Sequence, residues 1–133
     1  MMEPGLTTLQ SMHDFATTLE RLSAAIEARK ITIFARIDHA SGAASVGLIL
    51  RPTTVLIFGN PQAGTPLMQT AQTAAIDLPL KMLVWEDEAS KVHVSYNEPA
   101  WIAARHGVQD LAANSVPALT AALAALAREA AGG

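Results

Sequence analysis

The chain has 133 residues, half of them hydrophobic and 16% charged, with a formal net charge of −3. That is long enough for one domain with a real core and too apolar for disorder; with no Lys/Arg cluster, no nucleic-acid partner is expected. Cysteine is absent, which excludes disulfides, thiol catalysis and cysteine-ligated zinc or iron–sulfur centres. The first ten residues lack the basic start and apolar run of a signal peptide. No stretch approaches the ~20 apolar residues of a membrane span. A soluble, cytoplasmic protein with no membrane partner is the expectation.

Residues 5–10 alternate weakly and fit a short first strand. Ser11 followed by Asp14 reads as a helix cap with a carboxylate in the first turn. Phe15, Leu19, Leu22 and Ile26 then fall on one helical face, giving a long first helix over residues 12–30. The run ITIFARI, residues 31–37, reads as a strand ending at Asp38 and His39. Small apolar residues around Gly42 and Gly47 suggest a short helix at 42–49.

The next stretch organises the chain. Val55, Leu56, Ile57 and Phe58 form an uninterrupted apolar run rich in β-formers, expected in mid-sheet and covered on both faces. A turn holding Gly59, Asn60, Pro61 and Gly64 follows. Thr65 can cap a helix with Pro66 at its first position, and that helix ends near Ala75, before Asp77-Leu78-Pro79 enforces a break. Leu80 to Glu86 and Val92 to Tyr96 alternate and form a hairpin. Pro99 starts a short helix carrying Trp101 and Ile102, stopped by Gly107. The alanine-rich tail from Pro117 places Leu119, Leu123 and Leu126 in a narrow stripe that needs a partner surface, either the sheet or another subunit. Its last residues, Ala131, Gly132 and Gly133, should fray. The order predicts a single α+β domain with a mixed or antiparallel sheet of four to five strands and helices packed on it.

A strand, a glycine-containing turn and a helix N-terminus can hold an anion on backbone amides. Gly59 and Gly64 are spaced as in GxxxxGK[ST], but Thr65 and Pro66 replace the Lys and hydroxyl residue that phosphate and magnesium need, so nucleotide hydrolysis is excluded. Asp38-His39 at a strand end is the most reactive-looking pair, although adjacent strand residues point to opposite faces. His13, His39, His93 and His106 show no metal-ligand spacing, and the acidic run at 86–88 lacks the pattern of a calcium loop. No metal or cofactor is expected. Ser95 lies in no nucleophile motif. Arg36, mid-strand, must pair or reach solvent, and either Arg36 or Arg51 could counter an anionic ligand.

The stretches ARKITIFARIDHA, LRPTTVLIFGNPQAGTPLMQ, DLPLKMLVWEDE and VSYNEPAWIAARHG together resemble the domain of unknown function 302 family, over residues 5–130 or so. The resemblance implies a self-contained α+β fold and a homodimer, with the Gly59-Asn60-Pro61 and Tyr96-Asn97-x-Pro99 turns as hallmarks. It supplies no reaction. Family members often carry Asp where this chain has Glu98, a poorer helix cap.

Three functions fit these residues. The first is a module binding a small anionic or polar molecule at the turn, with Gly59, Asn60, Gly64 and Thr65 as its cradle and His39 and Tyr96 around it. The second is a homo-oligomeric structural module with the tail as interface. The third is an enzyme using His39 as acid/base and Tyr96 or Asn60 as a polarising donor.

Overall fold

A computed structural model describes residues 3–109 and 115–132. Strands β1 (Leu6–Gln10), β2 (Thr32–Asp38), β3 (Thr53–Gly59), β4 (Leu80–Glu86) and β5 (Val92–Asn97) form one sheet in the order β1-β5-β4-β3-β2. Every pairing is antiparallel. The helices are α1 (Phe15–Ala28), α2 (His39–Ser45), α3 (Pro61–Thr70), α4 (Pro99–Arg105) and α5 (Val116–Ala131), with a 3₁₀ turn at Gln72–Ile76.

One face of the sheet is covered. Leu56 and Phe58 on β3, Met82 and Val84 on β4, and Val92, Val94 and Tyr96 on β5 meet Leu19, Leu22 and Ile26 of α1 and Leu123, Leu126 and Ala127 of α5. The apolar stripe that called for a partner thus finds one inside the monomer, where Leu123 and Leu126 join the core. The end of the tail does not fray through residue 132. The Ala131 carbonyl accepts from the Met12 N–H at 2.7 Å, and the Gly132 carbonyl accepts from Arg21 Nη2 at 2.9 Å. The expectation for Gly133 falls outside the described residues.

Among the described residues the opposite face carries no such layer. Along β3, Thr54, Leu56 and Phe58 are buried while Val55 and Ile57 stay half-buried, so the two-sided cover expected of this strand is absent. The centre of the sheet is β4. A register shift between Ile33 and Ala35 bulges β2 at Phe34, whose ring is pushed out to 53% exposure.

Three helix starts differ from expectation, and at each an Asp or Asn side chain delivered by the preceding segment closes the first turn. Asp14, not Ser11, caps α1, its Oδ1 accepting from the Thr17 N–H at 2.8 Å. Ser11 instead pairs its hydroxyl with that of Thr18 at 2.6 Å. Asp38 caps α2 by accepting from the Ser41 N–H at 2.9 Å, so that helix begins at His39. Asn60, not Thr65, caps α3, accepting from the Ala63 N–H at 2.8 Å. Pro61 takes the first helical position, and Pro66 lies inside the helix. The predicted hairpin and the stop at Gly107 (φ +69°) both stand.

Candidate functional site

The chain leaves β3 at Gly59 and enters α3 at Pro61, and between them Asn60 turns the backbone while closing the helix N-terminus with its own side chain. Leu78, Pro79 and Leu80 run in beneath α3 at the start of β4, Phe34 stands at the bulge of neighbouring β2, and Leu119 reaches in from α5. These segments do not close on one another. They enclose a cavity of about 260 Å³ lined by Gly59, Asn60, Ala63, Gly64, Thr65, Leu67 and Met68 on the turn side. Among the described residues its wall is almost wholly apolar, and none of those that line it is ionisable.

Four of the six residues singled out from the sequence therefore meet in one cavity: Gly59, Asn60, Gly64 and Thr65. The other two do not join them. Register pairs Thr32 with Gly59 and Asp38 with Thr54, so His39 follows the far end of β2. At ~3.3 Å per residue it stands roughly 20 Å from the turn. Tyr96 pairs with Met82, which pairs with Leu56, so its ring lies two strands away in the core. Burial, reinforced by the nearby Glu98 carboxylate, raises the Tyr96 hydroxyl above its ordinary pKa. His39, Asn60 and Tyr96 thus occupy three separate places, and the acid/base arrangement built on them is not assembled.

The cavity also suits an anion poorly. Pro61 has no N–H, and the Ala63 and Gly64 N–H groups are already engaged by Asn60. Moving a charged ligand into an apolar wall without a counter-charge is strongly unfavourable. Arg36 and Arg51 are both solvent-exposed and line no part of the cavity.

Sequence reasoning missed one polar cluster. Asp77, at the end of the 3₁₀ turn, accepts from Arg105 Nη1 at 2.8 Å and lies 2.6 Å from His106 Nε2. His106 Nδ1 lies 3.0 Å from the Thr73 hydroxyl. The His106 and Asp77 side chains are only 7% and 13% exposed. A hydroxyl, an imidazole and a carboxylate in this order match the connectivity of a nucleophile, its base and an orienting group. Arg105 shares the same carboxylate, which makes the cluster a clamp between the 3₁₀ turn and the end of α4. His93 and His13 are engaged elsewhere. His93 pairs with Asp87 at 2.8 Å and packs its ring on Trp85, while His13 meets the Gly132 carbonyl at 2.7 Å. Among the described residues no group of three or more His, Cys, Asp or Glu side chains could hold a metal. Glu98 makes no side-chain cap on α4; its carboxylate accepts from the Thr7 hydroxyl instead.

An antiparallel sheet with helices on one face and a lateral cavity at the β3–α3 turn defines a small α+β layered domain. The chain belongs to the family described as Domain of unknown function DUF302, whose model matches residues 7–126. A crystal structure of an uncharacterized conserved DUF302 protein from Bacillus stearothermophilus is similar with a TM-score of 0.81, at 17% identity, covering 96% of this chain and 99% of that one. The chain is also 45% identical over 108 residues to fluoride-specific ion channel FluC 1 of Brucella suis biovar 1 and to the protein of the same name in Brucella abortus biovar 1. Those 108 residues are 81% of this chain but only 42% and 40% of the Brucella proteins. No described helix is long and apolar enough to cross a membrane.

Proposed function

We propose that this domain is a binding module that takes a small, uncharged, predominantly apolar molecule in the cavity at Gly59, Asn60, Gly64 and Thr65. One observation carries this: a preformed cavity of about 260 Å³ whose wall, among the described residues, is apolar and holds no ionisable side chain, at the turn that organises the chain. Sites of this kind gain affinity from apolar burial and orientation from a few polar groups. Here the Thr65 hydroxyl and the Asn60 amide are the side-chain polar groups in the lining. The volume corresponds to about nine water-sized groups, the scale of a substituted aromatic ring.

A thermal-shift series with uncharged aromatics such as indole and benzyl alcohol, beside inorganic phosphate, tests the proposal. Binding to the native state alone stabilises by about 2.7 kcal/mol at a hundredfold excess over Kd. A rise in Tm with the aromatics and none with phosphate is expected, abolished in Gly64→Leu, which fills the cavity. A shift with phosphate alone would restore the anionic ligand.

A second reading, homodimerisation, is favoured by a run of exposed aliphatic side chains at residues 46–50. In the longer Brucella relatives, this domain would be a module attached to the channel, with the channel residing in the other three-fifths of the chain. Binding or pairing by the domain would then be an input to that channel.

A further inference from the structure

We infer that two copies of this chain pair through the uncovered sheet face and the segment 46–50; this rests on the homodimer reading above and names its surface. Val46, Leu48, Ile49 and Leu50 are exposed to 71%, 65%, 101% and 45%. They follow α2, which lies against β3 but fully buries none of its residues, and none of the residues 39–50 is in the core. Single exposed aliphatics are ordinary on a protein surface, but a contiguous run of this kind marks a contact site.

The sheet face away from α1 and α5 is what such a segment of a second copy covers. Pairing register places Ile37 of β2, Val55 and Ile57 of β3, and Leu83 and Trp85 of β4 on the side away from α1 and α5. Ile37 is 41% exposed, and the other four are half-buried on the side opposite the layer of α1 and α5. On the same face Lys81 turns its ammonium back to the Asp77 and Pro79 carbonyls. No carboxylate lies among these positions.

An exposed aliphatic segment and an apolar sheet face on one chain can supply the two halves of a self-complementary contact, as a two-fold dimer requires. Three strands ~4.8 Å apart and about five residues long present roughly 240 Å². Four aliphatic side chains at about 100 Å² each bring this to the order of 1,100–1,300 Å² across both copies. That meets the lower bound for a specific, stable interface, about 1,200 Å². A pair held by an interface at this lower bound should exchange with the monomer, so its mass should depend on concentration.

Sedimentation velocity of the full chain from about 1 to 200 µM tests this. Wild type should move from the monomer toward twice the monomer mass, and the double variant Leu48→Glu/Ile49→Glu should remain monomeric with an unchanged far-UV spectrum. Ile76→Glu, equally exposed at 72% but on the 3₁₀ turn, should dimerise like wild type. Monomeric wild type at 200 µM would overturn the homodimer reading and this surface with it. A wild-type dimer left intact by the double variant would overturn the surface alone. Monomeric wild type that co-sediments with phosphatidylcholine vesicles, and loses this in the double variant, would assign the segment to lipid and overturn the pairing.

Discussion

Replacing Gly64 by alanine should stabilise the domain while weakening its binding of an apolar ligand. Gly64 is the fourth residue of α3, and it is not among the glycines with positive φ. Its backbone therefore needs nothing that alanine cannot adopt. A Cβ built there would lie 3.7 Å from Leu78 Cδ1 and 3.7 Å from Met68 Cε, ordinary contact distances. Relieving a helix-interior glycine is worth about 0.5–1 kcal/mol, and partial burial of the methyl adds a few tenths. The expected total is about 1 kcal/mol, or ~3–5 °C in Tm for a chain of this length. The new methyl occupies the wall of the cavity, so the affinity for indole should fall as Tm of the free protein rises. Calorimetry of the unliganded protein followed by an indole titration reads both. A Tm several degrees lower would mean that Gly64 is needed for its backbone freedom and would refute the helical placement.

Gly5 predicts the opposite response. Its φ is +74°, and a Cβ there would lie 2.2 Å from Trp101 Cγ, so Gly5→Ala should cost about 1–3 kcal/mol in urea unfolding. Asp77→Ala removes the acceptor shared by Arg105 and nearly buried His106 and should also cost about 1–3 kcal/mol; an unchanged urea midpoint would show that the clamp is idle. The hydrogen bond from His93, followed by the Lys91 N–H, holds the Asp87 carboxyl below its usual pKa of 3.8. A depressed carboxyl stabilises the fold above its unfolded-state pKa, and that contribution is lost as pH falls through the folded-state value. Stability should therefore decline below about pH 4, and Asp87→Asn should flatten that part of the melting profile.

What the sequence made legible follows from local physics. Alternation in residues 80–96 specified the hairpin, the spacing of Phe15, Leu19, Leu22 and Ile26 specified the buried face of α1, and Gly107 marked the end of α4. The start of α3 was ambiguous because Asn60-Pro61 and Thr65-Pro66 are both cap-and-proline pairs; the first won because β3 runs to Gly59 and delivers Asn60 directly to the turn. Leu123 and Leu126 showed a stripe without showing its partner, since a stripe facing α1 and one facing another subunit look alike. The same ambiguity concealed the open sheet face: Val55 and Ile57 are apolar whether a helix covers them or not. Asp77 and His106 are 29 residues apart, and no spacing rule joins them. Of the candidate site, the turn residues were legible because they are contiguous. His39 and Tyr96 were grouped with them by chemical type, and sheet register keeps them apart.

The most direct test of the account is a titration of ¹⁵N-labelled protein with indole, followed by backbone amide shifts. The account predicts saturable changes concentrated at Gly59, Asn60, Gly64, Thr65 and Leu67, with the amides of His39 and Tyr96 unmoved. Shifts centred elsewhere, or none up to millimolar indole, would contradict a ligand site at this turn.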